Sequence, residues 1–257
     1  MFYSGFWAWP IFKRDYPEII KYRVGDRLVK FSDSELDLIS GSSDFFGLNH
    51  YTSEIVHYDS SYSWPSCDSN ETSRECDNPD SESEFCENWA STSSSWFKVA
   101  PWGFRKILNW IDHNYDSIPI FVTENGYSSD DRVSDDQRSD YYEKYLNEML
   151  KATKIDGVNV IGYAAWSLLD NFEWNRGYEE RFGLFSINYT SGLLDRVPKS
   201  SVFRLKTIYE NRGWNNQNST TEQAITTENI ITTSHSADTI YFFHRGLIWL
   251  TVSFYLL

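Results

Sequence analysis

Three times between residues 44 and 213, a short apolar run is followed by a longer segment whose apolar residues recur at helical spacing. The runs are Asp44 to Asn49 (DFFGLN), Ile118 to Thr123 (IPIFVT) and Val158 to Trp166 (VNVIGYAAW). They are too short for helices, and they are continuously apolar rather than alternating, as strands buried on both faces are. Pro101 stands at a helix start, and Phe104, Ile107, Leu108 and Ile111 follow with one apolar face. Tyr142, Tyr145, Leu146, Met149 and Leu150 form the second stripe. A final helix is expected from Pro198 to about Asn211, carrying Val202, Phe203, Leu205 and Ile208. Strand–helix units in this order predict an α/β fold with a parallel sheet and helices outside it. Each unit takes roughly 55 residues, so an eight-unit barrel would need about 450. A chain of 257 residues is therefore a small open sheet or part of a barrel. Ahead of the units, Ser32 and Glu35 match a capping box opening a short helix that Gly41 can close. A long polar excursion fills residues 54 to 95.

In parallel sheets the C-terminal strand ends face the functional site. Three polar clusters lie at those ends: Asn49-His50-Tyr51-Thr52, Thr123-Glu124-Asn125-Gly126, and Trp166-Ser167-Leu168-Leu169-Asp170-Asn171-Phe172-Glu173-Trp174. The second and third, with Arg181-Phe182-Gly183-Leu184 after them, resemble the family 1 glycoside hydrolases, which include β-glucosidases, lactase-type enzymes and myrosinases. Weaker matches at Asp15-Tyr16-Pro17-Glu18, Asp44 to Tyr51 and Pro101-Trp102-Gly103 extend the similarity over about residues 5 to 213, in the family's order.

The resemblance implies the C-terminal part of a (β/α)8 barrel, about strands 6 to 8. It also implies a retaining β-glycosidase acting on β-glucoside-type small molecules or oligosaccharides. Such enzymes use two carboxyl groups about 5 Å apart, one as nucleophile and one as acid/base. The matching nucleophile is Glu124, and Tyr51 matches the tyrosine that supports it. A nucleophilic carboxylate must stay ionised, so donors beside it are a physical requirement. Glu173 and Trp174 match residues that grip sugar hydroxyls, and Trp166 matches the platform under the ring. Phe182 is placed in the glycone pocket, Asn49 against substrate and Trp96 on the leaving-group wall. Asp170 is assigned to structural hydrogen bonding. Two carboxyls suffice for the chemistry, so neither metal nor organic cofactor is expected.

The sequence also departs from the family. The acid/base belongs to an Asn-Glu-Pro element that this sequence does not contain, and the early sugar-binding Gln and His elements and the Arg beside the nucleophile are absent too. By the resemblance, Met1 falls within the helix leading to the sixth strand. Glu18, Glu35 and Glu54 do not fit as substitutes by motif. A rival reading is a non-catalytic, klotho-like glycan-binding module, and a third is an inactive truncated product.

Composition narrows the partners. A net charge of −14 excludes a nucleic-acid partner, which requires a basic footprint. Aromatic residues make up 18% of the chain, which fits either a large core or ring faces that stack on sugars. Cys67, Cys76 and Cys86 share one polar stretch with no C-x-x-C spacing and no companion His. One disulfide and one leftover thiol are expected there, and no zinc site. The triplets at Asn70, Asn188 and Asn218 match the N-glycosylation pattern and permit glycosylation in a secretory setting. The first residues lack the features of a signal peptide. Residues 1–213 read as the partial barrel, 214–239 as a Ser/Thr-rich disordered linker and 240–257 as an apolar tail. The run Gly246 to Leu257 is too short to span a bilayer. It reads as a membrane segment or cleaved anchor signal, or as an incidental extension. The expected location is the secretory pathway, extracellular or membrane-anchored.

Overall fold

The computed structural model describes residues 2–58, 81–130, 132–211 and 213–214. Helices α1 (Phe2–Lys13), α2 (Glu18–Val24) and α3 (Asp33–Ile39) precede the first strand. At α3 the Ser32 side chain accepts from the Glu35 backbone N–H while the Glu35 carboxylate accepts from the Ser32 N–H. This is the reciprocal cap expected from the sequence, and it satisfies two otherwise unpaired groups. Ser40 ends the helix, and Gly41 follows it at φ +71°.

The centre of the fold is a three-stranded parallel sheet of β1 (Phe46–Asn49), β4 (Ile120–Asn125) and β5 (Val160–Ala165), in that spatial order. Helix α4 (Pro101–Asn114) precedes β4, α5 (Asp136–Lys154) joins β4 to β5, and α6 (Ser200–Glu210) follows β5. Parallel neighbours need such crossovers, because a tight turn only reverses the chain. Two antiparallel ribbons join this frame: β2 (Ile55–Tyr58) with β3 (Ser81–Glu84), and β6 (Phe185–Ile187) with β7 (Arg196–Pro198). Sequence reading singled out neither ribbon, and Ser81 to Glu84 is wholly polar.

Phe46, Leu48, Ile120 and Val122 point to the helical side and are buried with Phe104, Leu108 and Ile111 of α4 and Tyr142, Tyr145, Leu146 and Met149 of α5 in one core. Each such side chain contributes about 1.5–3 kcal/mol by leaving water. In α6 the inward residues are Ser201, Leu205 and Ile208, while Phe203 is 59% exposed. Phe203, two residues before Leu205, sits about 200° around the helix from it and so falls on the outer face. The Asp135 carboxylate accepts from the Ser201 N–H (2.8 Å) and hydroxyl (2.6 Å). Much of the aromatic content is core: Phe97, Phe104, Tyr141, Tyr142, Tyr145 and Tyr163 are almost fully buried.

Strand register decides what the strand ends present. Phe46, Gly47 and Leu48 lie opposite Ile120, Phe121 and Val122. A register shift then sets Asn49 opposite Glu124 instead of Thr123. On the β5 side the register shifts between Ile120 and Phe121 and again between Val122 and Asn125. An irregularity of this kind breaks the alternation of faces and re-aims a side chain. Here it breaks beside Glu124.

Cys67 and Cys76 lie outside the described residues, as do Asn70, Asn218 and the 240–257 tail. Cys86 has no disulfide partner among the described residues. No described helix is long and apolar enough to cross a membrane.

Candidate active site

Each residue of the β4 terminus has a separate physical task. The Thr123 hydroxyl donates to Asn49 Oδ1 at 2.5 Å. Buried Asn125 donates from Nδ2 to the His50 carbonyl and to the Tyr141 hydroxyl, both at 2.7 Å. Its Oδ1 accepts from the Tyr163 hydroxyl at 2.7 Å, so the amide ties the ends of β1, β5 and helix α5 together. Gly126 is required by contact: a Cβ there would lie 1.8 Å from the Trp166 carbonyl oxygen. Glu124 is the group in this run whose carboxylate is left for other work.

That carboxylate is half-buried and accepts from the Tyr51 hydroxyl at 2.7 Å. Burial raises the Glu124 pKa above the ordinary value, and the Tyr51 hydrogen bond and the neighbouring Asn49 side chain pull it back in part. The Tyr51 hydroxyl is pushed well above its usual pKa, first by burial and then by the Glu124 charge. It therefore stays protonated and able to donate. Tyr51 is itself held from behind, because its carbonyl accepts from Tyr141 (3.0 Å) and Tyr145 (3.1 Å). Next to it, burial lowers His50 to about 3. His50 is thus a neutral ring stacked on Phe104 at 5.0 Å, a packing residue rather than a proton carrier.

Aromatic rings surround Tyr51. Phe182, 3% exposed, meets it edge-on at 5.7 Å, and Trp96, 39% exposed, does so at 6.1 Å. At the end of β5, Trp166 is half-buried, and its backbone N–H donates to the Asn125 carbonyl at 2.8 Å. Burial raises the Glu173 pKa above the ordinary value; the nearby Trp166 and Asn171 side chains oppose that rise, and the charges of Glu180 and Glu124 add to it. Its Oε1 is buried with no hydrogen-bond partner among the described residues. Leaving such an acceptor unpaired costs about 1–3 kcal/mol, a cost that a donor from a bound molecule removes. Trp174 stands at φ +48° in a single 3-10 turn and is 63% exposed. Asp170 lies outside this group of atoms. It is buried and accepts from Lys199 Nζ (2.9 Å), the Gly183 N–H (2.9 Å) and Arg181 (3.2 Å), an internal anchor for the 167–183 segment.

The structure therefore brings Asn49, Tyr51, Glu124, Trp166, Glu173, Phe182 and Trp96 to the strand-end side of the sheet. It also shows two sets of residues that sequence reading did not single out. One is the Asn125–Tyr141–Tyr145–Tyr163 cluster behind Tyr51. The other is Glu180, a buried carboxylate that accepts from Ser94 (2.5 Å) and Arg176 (3.0 Å), while Ser94 also bonds Ser128 (2.7 Å). Glu180 ties the Trp96 loop to the Glu173 loop across 86 residues of sequence. No local pattern announces a pairing of that range. No group of three or more His, Cys, Asp or Glu that could hold a metal ion occurs among the described residues.

The model of the family described as "Glycosyl hydrolase family 1" matches residues 1–214. Lactase/phlorizin hydrolase of Rattus norvegicus is 39% identical over 229 residues, covering 83% of this chain and 11% of that protein. Cytosolic beta-glucosidase of Cavia porcellus is 36% identical over 225 residues, covering 82% of this chain and 46% of its own length. Among solved structures, a GH1 beta-glucosidase from the fungus Humicola insolens in complex with glucose superposes with a TM-score of 0.72. It shares 35% identity, covering 80% of this chain and 44% of that one. An aphid myrosinase gives 0.70 at 33% identity, covering 79% of this chain and 45% of the myrosinase. The chain thus spans less than half the length of each of these relatives.

Proposed function

The chain belongs to glycosyl hydrolase family 1, and from that premise we propose that it is the nucleophile-bearing part of a retaining β-glycosidase. Its place in the barrel is about strands 6 to 8, formed by β1, β4 and β5. The substrates are β-glucoside-type O-glycosides. The observation that carries this reading is a half-buried carboxylate at a strand end, Glu124, held by the Tyr51 hydroxyl at 2.7 Å.

In the proposed reaction a Glu124 oxygen attacks the anomeric carbon as the bond to the leaving oxygen breaks. A proton from the acid/base carboxyl neutralises the leaving group. Water, deprotonated by the same carboxyl, then cleaves the glycosyl ester and frees Glu124. Tyr51 and Asn49 keep Glu124 ionised and aimed. Asn49 also lies within reach of the sugar. Glu173 accepts from sugar hydroxyls through Oε1, a charge-assisted contact stronger than a neutral one. Trp166 is the platform beneath the ring, Trp174 grips the hydroxyl edge, and Phe182 closes the glycone side. Trp96 is the wall for the leaving group. The Asn-Glu-Pro element that carries the acid/base in the family does not occur in this sequence. In this reading that carboxyl lies on polypeptide beyond these residues.

The test is covalent trapping. In the full-length enzyme a 2-deoxy-2-fluoro glucoside, which stalls the glycosyl–enzyme stage, should label Glu124. A label mapped to any other carboxylate would overturn the assignment. Tight sugar binding with no label at all would favour a klotho-like binding module.

A further inference from the structure

The β6–β7 ribbon carries a feature that the glycosidase reading does not use. Its turn holds the triplet Asn188-Tyr189-Thr190, and the Asn188 side chain is exposed at the ribbon's end. The backbone there is fixed: the Asn188 N–H donates to the Asp195 carbonyl at 3.1 Å and the Leu194 N–H to the Ser191 carbonyl at 3.3 Å. The Asn188 carboxamide is held by its oxygen alone. Oδ1 accepts from the Thr190 N–H (3.0 Å), the Thr190 hydroxyl (2.7 Å) and the Ser191 N–H (3.2 Å). Nδ2 has no partner among the described residues. Tyr189, between them, is anchored inward. Its hydroxyl donates to the Asp170 carbonyl, and its ring lies 4.1 Å from that of Tyr178.

We propose that Asn188 is an acceptor for an N-linked oligosaccharide. An acceptor must satisfy two conditions: a hydroxyl residue two positions on with no proline between, and room in the folded protein for a bulky polar group. Asn188 meets both. The triplet is present with tyrosine in its middle, and the turn is solvent-facing with no Nδ2 contact to lose. The co-reactant is an oligosaccharide linked to a lipid through a diphosphate. Nδ2 bonds to its anomeric carbon, the carbon–oxygen bond to the diphosphate breaks, and the lipid diphosphate leaves with that electron pair. The Nδ2 proton passes to a base of the transferase. An oligosaccharide at Asn188 also means that the end of this ribbon faces solvent in the mature protein and is covered by no partner. This inference is independent of the glycosidase reading, because it uses none of the strand-end residues.

The test delivers the full chain, behind a cleavable secretory leader, into microsomes during translation, and recovers the protease-protected product. Trypsin cuts after Arg181 and Arg196 and isolates residues 182–196 around Asn188. Enzymatic deglycosylation in heavy-oxygen water should convert Asn188 to isotopically marked Asp. Asn188→Gln and, separately, Thr190→Ala should each abolish that mark and remove one step of electrophoretic retardation. Two variants acting on different atoms guard against a single substitution that merely disturbs the turn. A protected chain whose 182–196 peptide is wholly unmodified overturns the proposal, whether or not Asn70 or Asn218 is occupied.

Discussion

Tyr51→Phe isolates one hydrogen bond. The ring keeps its edge contacts with Phe97, Phe182 and Trp96, and the Tyr51 carbonyl keeps its bonds from Tyr141 and Tyr145. Only the 2.7 Å donor to Glu124 is lost. A hydrogen bond to a charged acceptor is worth about 1.5–3 kcal/mol, which at 1.36 kcal/mol per unit corresponds to a pKa rise of about 1–2 units. Burial already holds Glu124 above its ordinary value, and Tyr51 is one of two groups that oppose it. Removing Tyr51 therefore moves the pKa further up. A carboxylate nucleophile, the role proposed for Glu124, works only when ionised, so rate should be lost as pH falls through that pKa. The acidic limb of the kcat/KM profile for an aryl β-glucoside reports the free enzyme's value. In the full-length enzyme this limb should shift upward by about 1–2 units. At a pH below both limbs the variant should be roughly 10- to 100-fold slower, with a smaller difference on the plateau. An unmoved acidic limb in a normally folded variant would refute the argument that Tyr51 keeps Glu124 ionised.

Glu173→Gln in the full-length enzyme should lower kcat/KM by about 10- to 150-fold. It should also change the preference between gluco- and galacto-configured aryl glycosides; a folded variant that keeps both rate and preference makes Glu173 structural. Lys199→Met leaves buried Asp170 with Arg181 as its remaining ionic partner. A broken buried pair costs about 3–5 kcal/mol, so thermal unfolding should move down by roughly 6–20 °C. An unchanged Tm would show that Arg181 alone neutralises the site. The 257-residue chain, purified as it stands, should not turn over aryl β-glucosides measurably. Robust turnover abolished by Glu124→Gln would mean that a proton donor among these residues has been overlooked.

The helix and strand spans were legible because their signals are local. The Ser32–Glu35 cap, Pro101 at a first helical position and the spacing of Phe104, Leu108 and Ile111 each act within a turn or two of chain. The same holds for the short apolar runs that became β1, β4 and β5. The two ribbons were not legible. Ser81 to Glu84 has no strand propensity, and its pairing with Ile55 to Tyr58 is a contact across more than twenty residues.

For the candidate site, the sequence by itself determined which residues stand at the strand ends. A parallel sheet places polar residues after apolar runs at one edge, and Thr123-Glu124-Asn125-Gly126 and Trp166 to Trp174 follow that rule. Only the tertiary structure decided what each residue faces. The register shift beyond Leu48 sets Asn49 beside Glu124, and the fold carries the Tyr51 hydroxyl 73 residues along the sequence to the same carboxylate. Asn125 knots three elements, and Glu180 joins two loops through Ser94. The physical reason is range. Propensity, capping and periodicity act over a few residues and can be read along the chain. Hydrogen-bond partners, burial and the resulting pKa of Glu124 depend on atoms that only folding brings within 3 Å of one another.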